Sequence, residues 1–126
     1  MYDKQDYALQ IDSHMLLVDD WDTRMIKALS QCPDSSHAIL SVYPRPINIK
    51  DKTVQDGPPC AMSFNCFSTL DGLPRFKSRP LAKKKFEKPF KSLFWAAGFS
   101  FSRGQLLVDC PYTGDLDYVF FGEELF

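Results

Sequence analysis

YALQID (Tyr7–Asp12), TRMIKAL (Thr23–Leu29) and AILSVY (Ala38–Tyr43) decide the fold class, because their apolar residues change period from one segment to the next. In the first, Tyr7, Ala8, Leu9 and Ile11 are interrupted only by Gln10, the pattern of a buried strand that ends at Asp12. Met25, Ile26 and Leu29 then recur at helical spacing, behind Asp19, Asp20 and Asp22, acids placed to cap the helix and complement its dipole. Cys32, Pro33 and Asp34 close that helix. Ala38, Ile39, Leu40, Val42 and Tyr43 form a second buried strand, which Pro44 and Pro46 terminate. The order strand, helix, strand points to an α/β domain.

Beyond this unit the residues turn polar from Asn48 to about Gly57, and Gly57, Pro58 and Pro59 mark a turn before a strand at Ala61 to Phe67. Asp71, Gly72 and Pro74 make another turn. From Arg75 to Lys91 lie eight of the 15 Lys and Arg residues and one acid, Glu87, with Pro80 and Pro89 breaking any long helix. That density of charge predicts a surface loop or short helix. Apolar runs resume at Leu93 to Phe101 and Leu106 to Val108.

With 126 residues, 44% of them hydrophobic and 11 of them Phe, the chain has the length and the apolar content for one small folded domain. A formal net charge of -1 gives no field that would draw it to nucleic acid or an anionic membrane. Neither a run of about 18 apolar residues nor a signal-peptide pattern is present, so a soluble, intracellular protein is expected. Cys32, Cys60, Cys66 and Cys110 lack zinc-site spacing and read as reduced thiols. The first strand begins within a few residues of Met1, and the apolar and acidic stretch Val119 to Leu125 runs to the end, which suggests a partial domain covering 1–126.

Chemistry is most strongly suggested at Asp12, Ser13 and His14. In an extended segment Asp12 and His14 would share a side and could present a carboxylate and an imidazole to one divalent cation. A solvent-facing turn in which Asp12 and Ser13 cap local backbone accounts for the same letters. His37 is open to a ligand or base role, or to that of a loop histidine. The Asp19, Asp20 and Asp22 cluster could hold a cation or serve only as helix capping. Lys83, Lys84 and Lys85, with Phe86 and Phe90 interleaved, could stack on single-stranded nucleic acid, although a solvated basic loop explains them. Phosphate loops of the P-loop and Rossmann types and the nucleophile elbow are absent.

Taken together, QIDSHM (Gln10–Met15), Trp21 with Asp22, ILSVYP (Ile39–Pro44), AAGFSFSRG (Ala96–Gly104) and FFGEELF (Phe120–Phe126) resemble the cytoplasmic hydroxyproline polypeptide N-acetylglucosaminyltransferases. The resemblance implies a GT-A glycosyltransferase fold with a mixed sheet flanked by helices, a UDP-GlcNAc donor and a protein hydroxyl acceptor, hydroxyproline or Ser/Thr. It implies metal-dependent, retaining transfer, with no nucleic-acid or membrane partner. Asp12 and His14 would hold Mn²⁺ or Mg²⁺ in an Asp-x-His version of the DxD motif, with Ser13 between them at the donor. Gly98 would let backbone approach the donor, and Gly122 and Glu123 match a Gly-Glu pair near the transferred sugar, with Glu124 as neighbour.

Leu16 and Leu17 stand where that family usually has a basic and an aromatic residue, which puts one polar contact near the metal in doubt. The N-terminal uridine-binding unit and a further metal ligand are also missing from the pattern. An inactive remnant that binds a metal, or a protein through the Arg75 to Lys91 stretch, is therefore the alternative expectation, and a nucleic-acid module using that stretch is a third.

Overall fold

The computed structural model describes residues 4–82 and 86–112. Seven elements follow in order: β1 (Tyr7–Ile11), α1 (Trp21–Ser30), β2 (Ile39–Ser41), β3 (Cys60–Phe67), β4 (Pro74–Pro80), β5 (Phe99–Arg103) and the single turn α2 (Leu106–Asp109). They form two antiparallel sheets, a three-stranded one in the order β1-β5-β2 and a β3-β4 pair. The fold is mixed α/β with few helices. In place of the expected single mixed sheet, β5 comes back between β1 and β2 and runs antiparallel to both.

Each of the first three elements forms where its periodicity predicts, with shorter or longer ends. Helix α1 gains Trp21, Asp22 and Ser30 over the expected span, and β2 shrinks to Ile39–Ser41. The capping expectation needs correction. Asp20, at the N-cap, adopts a left-handed conformation with φ 58 and makes no side-chain cap bond, whereas Asp22 Oδ1 accepts the Thr23 N–H at 2.7 Å. Asp22 still places negative charge in the first turn, where the helix dipole favours it.

Register aligns Tyr7 with Arg103 and Ile11 with Phe99 across β1 and β5, and Ser41 with Ser100 across β2 and β5. Central β5 is the most buried strand, carrying Ser100, Phe101 and Ser102 inside. Tyr7 stacks on Phe101 with centroids 5.4 Å apart, and the Arg103 guanidinium sits 4.6 Å over the Tyr7 ring. Leu29 of α1, Met62 of β3, Ala96 and Ala97 complete the buried apolar set among the described residues.

Pro74–Pro80 is a strand, not the expected loop or helix. It pairs with β3 from Cys60↔Pro80 to Phe67↔Pro74, with a register shift between Phe64 and Cys66 that leaves Asn65 as the extra residue of a bulge. The hairpin turns at Ser68–Leu73, where Gly72 takes φ +71, a conformation costly for residues with a Cβ. No helix among the described residues is long and apolar enough to cross a membrane.

Candidate cation site at the end of the first strand

Strand β1 ends at Ile11, and the chain turns at once: the Met15 N–H donates to the Asp12 backbone carbonyl at 3.3 Å. Ser13 and His14 occupy that turn. The turn, and not strand alternation, brings the two candidate ligands together. His14 Nε2 lies 3.9 Å from Asp12 Oδ2, too far for a hydrogen bond, so neither donor consumes the other. Both side chains open to solvent, 80% exposed for His14 and 51% for Asp12. Ser13 is exposed between them.

Facing this turn is the Ala96–Gly98 backbone leading into β5. The Asp12 N–H donates to the Gly98 carbonyl at 3.1 Å, and the Asp12 carboxylate rests on the Gly98 α-carbon. A Cβ added at Gly98 would stand 2.6 Å from Asp12 Oδ2, a distance that forces a shift. The resemblance predicts that Gly98 admits a donor. Its immediate structural role is to seat the carboxylate.

Both flanking strands pin this backbone. Gln10 Nε2 donates to the Ala97 carbonyl at 2.9 Å from β1. From β2, Ser41 Oγ accepts the Ala96 N–H at 2.7 Å and donates to the Ala96 carbonyl at 3.0 Å. Trp95 Nε1 donates to Ser100 Oγ at 2.9 Å, so the entry to β5 is tied down as well. Gln10 and Ser41 lie within stretches that the sequence marks as strand, but their apolar neighbours hide them. Their one signal is polarity inside otherwise apolar strands.

The donor set suits a small divalent cation. The carboxylate oxygen and the imidazole nitrogen are 3.9 Å apart; to share one ion at bonds of about 2.1 Å they would close to roughly 3.0–3.4 Å, a movement open to two exposed side chains. They form a pair only: among the described residues no group of three His, Cys, Asp or Glu side chains could hold a metal. A bound ion would take its remaining ligands from water or from an anionic group of a substrate. Gly122, Glu123 and Glu124 lie outside the described residues, as do Lys83, Lys84 and Lys85.

Other candidates sit apart. His37 faces Asp34, with Nδ1 3.1 Å from each carboxylate oxygen, and Ser36 Oγ donates to Asp34 Oδ1 at 2.7 Å. Those bonds from Ser36 and then His37 hold the Asp34 carboxyl below its ordinary range. This cluster borders a hollow of about 320 Å³ with Lys4 and Arg103, at the start of β1, whereas Asp12 follows its end. A larger cleft of about 870 Å³ is lined by apolar residues such as Met25, Leu40, Phe90, Phe94 and Phe99, and neither Asp12 nor His14 lines it.

No characterised protein and no solved structure matches the chain in comparisons of sequence and fold. The family described as glycosyltransferase (GlcNAc) matches residues 1–126. The match spans the β1 turn, the Ala96–Gly104 stretch and the terminal FFGEELF alike, and the chain belongs to this glycosyltransferase family.

Proposed function

We propose that the chain transfers N-acetylglucosamine from UDP-GlcNAc to a protein hydroxyl, hydroxyproline or Ser/Thr, in the cytoplasm, with retention of configuration and with Asp12 and His14 holding Mn²⁺ or Mg²⁺. Family membership supports glycosyl transfer, which needs a sugar donor and an acceptor. One observation supports the cation part of this reading: a carboxylate and an imidazole stand exposed, 3.9 Å apart and unbonded to each other, on a turn beside Gly98; the donor, acceptor and stereochemistry come from the family resemblance. Two ligands from the protein leave room for a diphosphate, as a donor-binding cation requires. When bound, the ion supplies positive charge that neutralises the departing diphosphate.

Asp12 and His14 would hold the ion beside the donor diphosphate, and Ser13 stands between them as a hydroxyl within the turn. The absence of a Cβ at Gly98 leaves the Asp12 carboxylate room beside it. In the transfer the acceptor oxygen bonds to the anomeric carbon as the bond from that carbon to the phosphate oxygen breaks, and the departing phosphate takes the acceptor proton. No protein base is then needed. Glu123 and Glu124, with Gly122 before them, are assigned to stabilise positive charge on the sugar ring; their assignment comes from the FFGEELF pattern.

Titration calorimetry of UDP with and without Mn²⁺ tests the site. Mn²⁺ strengthens UDP binding to the wild-type chain by at least about tenfold, and Asp12→Ala removes most of that gain. Equal UDP affinity with and without Mn²⁺ would contradict the reading. Comparison of UDP-GlcNAc with UDP-GalNAc, using a hydroxyproline peptide as acceptor, tests the donor and acceptor assignments.

A further inference from the structure

We infer that Gln10 is a positioning residue for the Asp12–His14 site, acting through the Ala97–Gly98 backbone, and that Tyr112 fixes the orientation of its amide. The inference rests on the cation reading of that site. Gln10 stands half-buried in β1, with its backbone registered on Ser100. Its amide Nε2 donates to the Ala97 carbonyl at 2.9 Å, and its Oε1 accepts the Tyr112 hydroxyl at 2.6 Å. These two bonds define the amide orientation, because the flipped amide would set oxygen against the Ala97 carbonyl oxygen. Tyr112 is itself braced by the Trp95 ring, with centroids 6.1 Å apart, and Trp95 is tied to Ser100.

The path from Gln10 to the ligand is short. Ala97 precedes Gly98, Gly98 receives the Asp12 N–H, and its α-carbon meets the Asp12 carboxylate. Displacing this backbone by a fraction of an ångström moves the surface on which the carboxylate rests. Gln10 and Asp12 are two residues apart, so β1 both presents the ligand and anchors the opposing backbone that supports it. An apolar residue would fill the same place in the sheet but could not hold the Ala97 carbonyl. Outer groups that orient a ligand in this manner commonly change metal affinity by about 10- to 100-fold when removed.

Electron paramagnetic resonance of free Mn²⁺, titrated with the full chain at constant pH, measures the effect, with the melting temperature recorded in parallel. Gln10→Met keeps length and flexibility but loses both hydrogen bonds, and it weakens Mn²⁺ binding by about tenfold. Tyr112→Phe keeps the ring against Trp95 and removes only the hydroxyl; it weakens binding by a smaller factor, about two- to fivefold on the same scale. If Gln10→Met does not fold, Tyr112→Phe decides. Variants whose melting temperature falls while Mn²⁺ binding by the folded protein stays at the wild-type value would overturn the positioning role and leave the cation site intact. A wild-type chain that binds no Mn²⁺ would overturn both.

Discussion

The β1-β5-β2 sheet and the β3-β4 hairpin are of similar size but are held together in different ways. The sheet closes through bonds that span the chain: Gln10 to Ala97, Ser41 to Ala96 and Tyr112 to Gln10. The hairpin closes through neighbours, with Ser68 bonded to Leu73, the Leu73 N–H to Asp71 Oδ1, and Arg75 paired with Asp71. Burial follows the same division. Three of five β5 residues are inside, whereas β4 exposes Lys77 through Pro80. A ligand atom that must stay fixed gains from the first kind of support, and the proposed cation site lies there. The charged, locally closed hairpin is suited to a solvated surface.

The largest expected effect comes from removing a side chain central to this difference. Phe101→Ala, at a position 3% exposed and stacked on Tyr7, costs about 3–5 kcal/mol in urea unfolding, enough to threaten the whole fold. Phe67→Ala in the hairpin, at a position 66% exposed but with its ring against Phe64, costs about 0.5–1 kcal/mol. Equal losses at the two positions would erase the distinction.

Gly98→Ala sharpens it at the site. The new methyl group meets the Asp12 carboxylate, so Mn²⁺ affinity falls by about tenfold or more while far-ultraviolet circular dichroism stays close to wild type. Gly57→Ala, at a position with open space but a strained φ of +158, leaves Mn²⁺ binding by the folded chain unchanged.

A smaller effect belongs to the hairpin turn. The Leu73 N–H, followed by the Arg75 guanidinium, holds the Asp71 carboxyl below its ordinary value of 3.8. Because the folded value is depressed, its contribution is complete above 3.8 and is lost as pH falls through the folded value. Melting curves taken from pH 5 downward therefore decline less steeply for Asp71→Ala than for wild type. Because the carboxyl is open to solvent, the group makes only a modest difference. Smallest of all is the response of the basic stretch to nucleic acid. Contacts to phosphates would give a steep salt dependence, and a single-stranded RNA probe in low salt is expected to show no tight shift.

How far these two regions could be read from sequence follows from what each spends its residues on. β1, α1 and β2 are legible because burial imposes a period on their apolar residues. β4 was obscured by charge. PRFKSRP does alternate, with Arg75, Lys77 and Arg79 on one side and Phe76 and Ser78 on the other, and its prolines sit where a strand ends. Basic residues of this kind also discourage edge pairing, so the charge that suggested a loop fits an exposed strand. At the site, Asp12, His14 and Gly98 were legible as letters. The turn that brings the first two together is closed locally by the Met15 N–H on the Asp12 carbonyl, but that the glycine seats a carboxylate depends on β5 returning beside β1, a pairing of residues far apart in sequence. Gln10, Ser41 and Tyr112 owe their roles to the same return.

Mn²⁺ titration followed in a ¹⁵N–¹H correlation spectrum tests most directly the claim that the Asp12–His14 turn and the Gly98 backbone form one cation site. The account expects paramagnetic broadening to begin at the amides of Asp12 to Met15 and Ala97 to Gly98, to reach the hairpin amides of Phe64 to Ser68 last, and to be abolished at low Mn²⁺ by Asp12→Ala. Broadening that begins in the hairpin or around Asp34 and His37, or that persists unchanged in Asp12→Ala, would contradict it.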